Sequence, residues 1–254
     1  ASEVAQLYRL GNTPTKQNVS PIVAGKPINS GLVGYWTFDG KDTSGTTATD
    51  RSGSNNTGTL TNGPTRVVGK IGQGLKFDGV DDHVSIPHAG NINFERTDSF
   101  TMALWVKYTG GAAEGLPIAK AENSGNYRGY YLNMSTSNSI SAYLQSGAAD
   151  FLQVRGSTNV KDGAWHHVAA VYRGTSVCSG FSLYVDGATE NQSCIDETVS
   201  ATIQNAVALR LGTRDGNGVP FNGNIDDARI YNRALSASEV AQLYRLGNTP
   251  TKQN

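Results

Sequence analysis

The acids, histidines and cysteines are the groups in this chain that could act as acid, base, nucleophile or metal ligand. Glu95 and Asp98 stand three apart in "NFERTDS", a turn-like stretch. Asp196 and Glu197 are adjacent, so on a strand their side chains face opposite sides. His83, His88, His166 and His167 show no zinc-ligand spacing, and no G-x-S-x-G elbow is present. In "WHHVAAVY" one of the paired histidines reads as support for a sheet. Asp50 in "DRSGSNNTG" and Asp78, Asp81 and Asp82 in "FDGVDD" lie in turn-rich stretches, where a carboxylate accepts local backbone N–H bonds. This pattern predicts no catalysis. Cys178 and Cys194 bracket two alternating runs with a chain reversal at "VDGA" between them. That setting favours a bond, the alternative being two thiols that never meet. A bond would close a loop of about 15 residues, contribute about 3 kcal/mol and place the protein outside a reducing cytosol.

Sugar binding needs aromatic platforms beside polar groups. Trp105 alternates against Phe100, Met102 and Leu104, so it faces away from them; with Tyr127, Tyr130 and Tyr143 it forms the candidate glycan-binding set, burial in a core being the competing reading. Trp36 and Trp165 are assigned to the core. Four N-x-[ST] sequons start at Asn18, Asn55, Asn133 and Asn191, with Asn18 expected to be the most exposed.

The elements that must position these groups are β-strands. The 254 residues include 30 glycines, a composition that suits short strands joined by tight turns. In "SFTMALWVKYT" Phe100, Met102, Leu104, Val106 and Tyr108 alternate with Thr101, Ala103, Trp105 and Lys107, a period of two. "HHVAAVY", "FSLYVDG" and "VALRLG" are shorter examples, and Asp186–Gly187 is a hairpin signal. Many such runs with Gly-rich turns predict an all-β, two-sheet antiparallel sandwich. Lys+Arg and Asp+Glu balance at 21 each with no basic stripe, which argues against a nucleic-acid surface. No apolar run is long enough to span a bilayer.

One stretch breaks the β pattern, and it occurs twice. "ASEVAQLYRLGNTPTKQN" is residues 1–18 and again 237–254, identical throughout. In the second copy Ser236 precedes Glu239 by three, a capping-box pattern, and Val240, Leu243 and Tyr244 share a helical face. Gly247 then provides a C-terminal stop. The spacing predicts a short amphipathic helix over 237–246 that must dock on a neighbour, since it is too short to persist alone. Residues 12–31, with Pro14, Pro21 and Pro27, read as an extended linker.

Five stretches in order, "GLVGYWTFDG", "GKIGQGLKFDGVDDHVSIP", "FTMALWVK", "WHHVAAVYRG…SLYVDG" and "NGNIDDARIYNRALSASEVAQLY", resemble the laminin-G-like, concanavalin A-like jelly-roll domains of bacterial secreted proteins, an architecture shared by pentraxins and laminarinase-type glucanases. The resemblance covers roughly residues 31–246. It implies a jelly roll with adjacent first and last strands and a closing helix. It divides the chain into a tail helix of a preceding repeat (1–11), a linker (12–31), the domain (32–247) and the start of another linker (248–254). The natural protein is then expected to be a tandem array, the alternative being an artefact of how the chain was assembled. Val4, Leu7, Tyr8 and Leu10 are the expected inter-repeat contacts.

Glucanase relatives carry an E-x-D-x-E run of catalytic acids that is missing here. They also tie the first strand to the last with calcium through the leading acid of a pattern that "DDARIY" matches at Asp226. The resemblance thus implies a Ca²⁺ site of Asp226, Asp39 in "YWTFDG" and the Gly72 carbonyl, with Asp227 in place of the pattern's aromatic leaving the choice between the two acids open. Only Asp215 remains of the acidic run by which pentraxins hold a further calcium. The expected function is an extracellular, cell-surface, non-catalytic unit of a tandem-repeat structural or adhesive protein that forms a fibre by head-to-tail contacts between repeats or chains. The alternative is a carbohydrate-binding module used in many copies to adhere to glycans.

Overall fold

The computed structural model describes residues 27–108, 110 and 113–248. Val4, Leu7, Tyr8, Leu10, Asn18 and most of the expected linker lie outside the described residues. The linker's last residues already belong to the domain: Ser30 N–H donates to the Pro27 carbonyl in a turn that leads into the first strand.

Among the described residues eighteen strands follow in chain order: β1 (Leu32–Trp36), β2 (Thr43–Ser44), β3 (Thr47–Ala48), β4 (Gly58–Thr61), β5 (Thr65–Val68), β6 (Gln73–Asp78), β7 (His83–Ile86), β8 (Ser99–Tyr108), β9 (Gly115–Ala121), β10 (Gly129–Met134), β11 (Ile140–Gly147), β12 (Asp150–Arg155), β13 (His166–Arg173), β14 (Phe181–Val185), β15 (Ala188–Thr189), β16 (Ser193–Glu197), β17 (Leu209–Leu211) and β18 (Asn222–Tyr231). They form two antiparallel sheets. One has eight strands in the order β15-β14-β13-β8-β18-β6-β5, with β1 on β18; the other has ten in the order β16-β12-β11-β10-β9-β17-β7-β4-β3-β2. The pairing of β1 with β18 sets Tyr35 opposite Arg229 and Trp36 opposite Ala228, so the first and last strands are neighbours. Such an arrangement is the expected jelly-roll sandwich.

Alternation decides what lies between the sheets. Phe100, Met102, Leu104, Val106 and Tyr108 of β8 point inward, against Tyr130, Leu132 and Met134 of β10 and Ala142 and Leu144 of β11. Trp36 is fully buried, its indole N–H donating to the Asn56 carbonyl. Trp165, expected in the core, is only partly buried, just ahead of β13. Asp186 and Gly187 both take positive φ (52° and 78°), giving the two-residue turn between β14 and β15.

The helix α1 (Ala237–Leu246) forms where its pattern predicts, with the reciprocal Ser236–Glu239 capping box. Its buried Val240 and Leu243 pack on the outer face of the eight-stranded sheet, against Ala103, Ala169, Val171, Tyr184, Tyr231 and Leu235.

Candidate functional site

Because the inner faces of both sheets make the core, ligand chemistry must be sought on the outer faces. On the ten-stranded sheet, the register places Tyr131 of β10 opposite Tyr143 of β11, and Tyr143 opposite Gln153 of β12. The Tyr131 and Tyr143 rings stack with centroids 4.6 Å apart, and Phe151 continues the run 6.4 Å from Tyr143. One row along, Asn133, Ser141 and Arg155 are in register on the same face. On the other side of Tyr131 the outward positions of β9 are small, Ala119 and Ala121, bordered by Leu116 and Val219.

The polar atoms of this face are under-satisfied. Asn133 Oδ1, Ser141 Oγ, Gln153 Nε2 and Arg155 Nε are buried and have no hydrogen-bond partner. Asn133 and Gln153 are each 4% exposed. A buried polar group left unpaired costs about 1–3 kcal/mol, so these four are a cost that this face carries. Burial pushes the Tyr143 phenol up, opposed by hydrogen bonds with Asn133 and Arg155. The Tyr131 hydroxyl donates to Gln145 Oε1 at 3.1 Å.

Of the aromatic set expected from sequence, Tyr143 alone stands on this run, partly exposed. Tyr127 lies in the loop between β9 and β10 with the Arg214 guanidinium 5.0 Å over its ring. Trp105 and Tyr130 are corrected. Tyr130 is in the core, its ring tilted against Phe94 and Phe100 and its hydroxyl donating to the Ile92 carbonyl. Trp105 does face outward, but on the other sheet, where α1 covers it: Tyr244 stacks on it at 5.6 Å and only 1% of it is exposed. Tyr131, Phe151, Asn133, Gln153 and Arg155 were missed. The signal was in "YYLNM", where Tyr130 shares its face with the apolar Leu132 and Met134, which leaves Tyr131 and Asn133 to point outward. Asn133, within a sequon, is buried and unsuited to glycosylation.

A second constellation gathers Asp39, Gly72 and Asp226 around the turn between β5 and β6. Ile71 N–H donates to Asp226 Oδ2 (2.8 Å) and Gln73 N–H to Asp39 Oδ1 (2.9 Å). Gly72, at φ +64°, lies so close to Asp39 Oδ1 that a β-carbon would overlap it. β18 carries a bulge between Asp226 and Arg229, with Asp227 at φ 51° as the extra residue. The bulge separates the two acids by role. Asp227 pairs with Arg229 at 2.9 Å, and Arg229 also donates to the Tyr35 hydroxyl. Asp226 is fully buried, and its Oδ1 has no partner. Burial, with the like charge of Asp227 added, pushes the Asp226 carboxyl up to about 7. Asp226 Oδ1 is thus an orphaned, buried hard oxygen of the kind that suits Ca²⁺, while the Gly72 carbonyl accepts from Gly69 N–H.

The remaining acids have structural work. Asp78, Asp81 and Asp82 come within 4.8 Å of one another. Asp78 Oδ1 accepts from Val80 N–H, and Asp82 Oδ2 accepts from Asp78 N–H, the turn-holding role expected of them. Asp98 accepts from Glu95 N–H, and Glu95 from Thr202 and Ile203. Asp196 and Glu197 are exposed on the edge strand β16. Cys178 and Cys194 form a disulfide, with Cα atoms 5.8 Å apart, that fastens the 3₁₀ turn Cys178–Gly180 to β16.

Among solved structures, the binding domain of Paraclostridial Mosquitocidal Protein 1 superposes with a TM-score of 0.67 and 16% identity over 86% of this chain and 52% of that one. The present chain thus spans about half the length of that relative. Domain 4 of an extracellular arabinanase from Geobacillus stearothermophilus, solved with arabinotriose, gives 0.59 and 20% over 84% and 98%. A Trypanosoma rangeli sialidase, solved with sialic acid, gives 0.61 and 20% over 85% and 33%. At these identities the likeness is one of fold. No curated protein matches the chain significantly. The profile of the concanavalin A-like lectin/glucanase superfamily matches residues 77–241, well over half of the chain, and the protein belongs to that superfamily.

Proposed function

We propose that this domain is a non-catalytic carbohydrate-binding module that holds a glycan on the outer face of its ten-stranded sheet. The observation that carries the reading is the Tyr131–Tyr143–Phe151 run beside four buried, partnerless polar atoms. A pyranose or furanose ring offers an apolar face to such a platform, and its hydroxyls both donate and accept. Asn133 Oδ1 would accept from a hydroxyl; Gln153 Nε2 and Arg155 Nε would donate to one. Glu95 and Asp98, the acids spaced most like a pair in the sequence, are committed to loop hydrogen bonds. That relatives of this fold were solved with arabinotriose and with sialic acid supports the class of ligand.

In the same reading, Asp226 Oδ1, the Asp39 carboxylate and the Gly72 carbonyl hold a structural Ca²⁺ that pins the turn between β5 and β6 to β18. Bound there, the ion would neutralise the buried Asp226 and hold it ionised. The disulfide and the secreted relatives support an extracellular setting. The duplicated 18-residue segment favours use of the module in several copies, which would add avidity. The expected preference for a structural fibre over a glycan module is reversed, because its contact residues lie outside the described ones and no other finding supports it.

The test is a glycan array followed by calorimetry on the intact chain. Wild type should bind at least one glycan class, and Tyr143→Ala and Phe151→Ala should each weaken that binding about tenfold or more, as loss of a stacking platform does. Binding that survives both substitutions would move the site elsewhere; no binding to any glycan would remove the reading.

A further inference from the structure

Arg155 is a cation that the protein leaves without an anion. Arg229 and Arg233 each hold a carboxylate, and Arg96 and Arg214 donate to side-chain oxygens. Arg155 meets the Tyr143 phenol, and its buried Nε has no partner. Among the described residues no carboxylate lies within ion-pair distance of it, and the side chain stays partly exposed.

The register fixes where this cation stands. Asn133, Ser141, Arg155 and Ser193 are abreast across β10, β11, β12 and β16. Tyr131, Tyr143 and Gln153 form the neighbouring row, and Phe151 lies in the row beyond it. The guanidinium therefore flanks the aromatic run on the side away from Phe151.

Guanidinium geometry then narrows the ligand. Nε and one Nη lie along a single edge and present two parallel N–H groups, spaced for the paired oxygens of a carboxylate or a sulfate. A sugar hydroxyl satisfies Nε alone. A carboxylate engages the whole edge and brings the counter-charge that Arg155 lacks. The contact is a local one: Asp196 stands opposite Gln153 on β16, and the charge of Glu114 acts on Tyr131 and Tyr143, so the face is not a cationic field. Discrimination between ligands rests on the fork itself rather than on net charge.

We propose that the glycan held on this face is an acidic one, bound by a carboxylate or sulfate on Arg155 while its ring lies along Tyr143 and Phe151. The inference rests on the carbohydrate-binding reading above and sharpens it to one class of sugar. It also gives Arg155 a role that lysine cannot fill, since an ammonium has the charge without the fork.

The test is a glycan array built of matched sets on the intact chain. Each set is a neutral oligosaccharide, such as lactose or xylotetraose, with its uronic acid, sialic acid and sulfate derivatives, and the leading set is then measured by calorimetry. An acidic member should bind at least about tenfold tighter than its neutral parent, the gain of a charge-assisted, two-pronged contact. Arg155→Met and Arg155→Lys should each bring the acid down to the level of the parent, with the parent's own affinity and the circular dichroism of the sheets kept. Tighter binding of the carboxylated or of the sulfated member tells which anion Arg155 takes. Neutral parents that bind as well as their acids would overturn this inference and leave the carbohydrate-binding reading standing; no binding to any member would overturn both. A preference for the acid that survives in Arg155→Met would also overturn it, and the wild-type comparison decides even if that variant does not fold.

Discussion

The adjacent histidines His166 and His167 should titrate in opposite directions, and His167 should weaken the fold in mild acid. His167 lies on the outer face of the eight-stranded sheet, 3% exposed, edge-on to Trp105 and close to Tyr244 of α1. Burial, with Arg229 nearby, lowers its imidazolium to about 3. Its folded value is below the unfolded 6.5, so its contribution to stability is present above pH 6.5 and is lost as pH falls. At 1.36 kcal/mol per pH unit, moving from pH 7.5 to 5 removes about 2 kcal/mol. Protonated His166 donates to the Asp186 and Asp162 carboxylates, and the Asp186 hydrogen bond raises it. Its contribution is fully present below 6.5 and is lost as pH rises through its higher folded value, so it changes only at the neutral end of the range, above 6.5. Asp226 acts in mild acid with the sign opposite to that of His167: raised to about 7, it favours the folded state most at low pH and less as pH rises from about 4 to 7. The wild-type profile is therefore a difference, and a variant is needed to read it. Urea unfolding at pH 5, 6 and 7.5 should show that His167→Phe, which keeps a ring against Trp105, gains about 2 kcal/mol relative to wild type between pH 7.5 and pH 5. Parallel profiles for the two proteins would refute the reasoning, as would an NMR titration in which the His167 ring protonates near 6.5.

Other expectations test other joints of the structure. Calcium added to chelator-treated protein should raise the melting temperature; Asp226→Asn should abolish that shift and Asp227→Asn should keep it, because Asp227 is occupied by Arg229. Replacing both cysteines with serine should cost about 3 kcal/mol for the loop they close, and a loss near zero would mean that β16 holds its place without the bond. Gly247→Ala should destabilise by about 1–3 kcal/mol through overpacking on Trp105, measured by urea unfolding with tryptophan fluorescence. Ser236→Ala should cost about 1 kcal/mol by removing the cap of α1.

The parts legible in the sequence are those whose rules are local. The period of two in β8, the Asp186–Gly187 turn and the Ser236–Glu239 cap each carry their signal within a few residues, and each formed as read. Trp105 shows where that stops. Its outward face was readable; that α1 would cover it was not, because the cover is set by a helix packing across the sheet rather than by its neighbours in sequence. Tyr130 is different, an error the sequence could have prevented, since Leu132 and Met134 mark its side of β10 as core. The choice between Asp226 and Asp227 could not have been made from the chain alone. It depends on a bulge that exists only relative to β8, and the bulge gives Asp227 to Arg229 while leaving Asp226 an oxygen with no partner.

The two outer faces divide the labour of the domain. Both carry aromatic rings and buried polar atoms without partners: Trp105 Nε1, His167 Nδ1 and Tyr231 OH on the eight-stranded sheet, Asn133 Oδ1, Ser141 Oγ and Gln153 Nε2 on the ten-stranded one. Equal chemistry does not give equal function, because α1 seals the first set beneath Val240, Leu243 and Tyr244. The depressed His167 is the measure of that seal, since a ring that water could reach would titrate near its ordinary value. On the second face no helix intervenes among the described residues, and Tyr143, Phe151 and Arg155 keep part of their surface in solvent. The same unsatisfied atoms are then a cost that a ligand can recover. The pH profile of the sealed face and the glycan affinity proposed for the open one are thus independent readings of a single arrangement, and a variant that loosens α1 should change the first without touching the second.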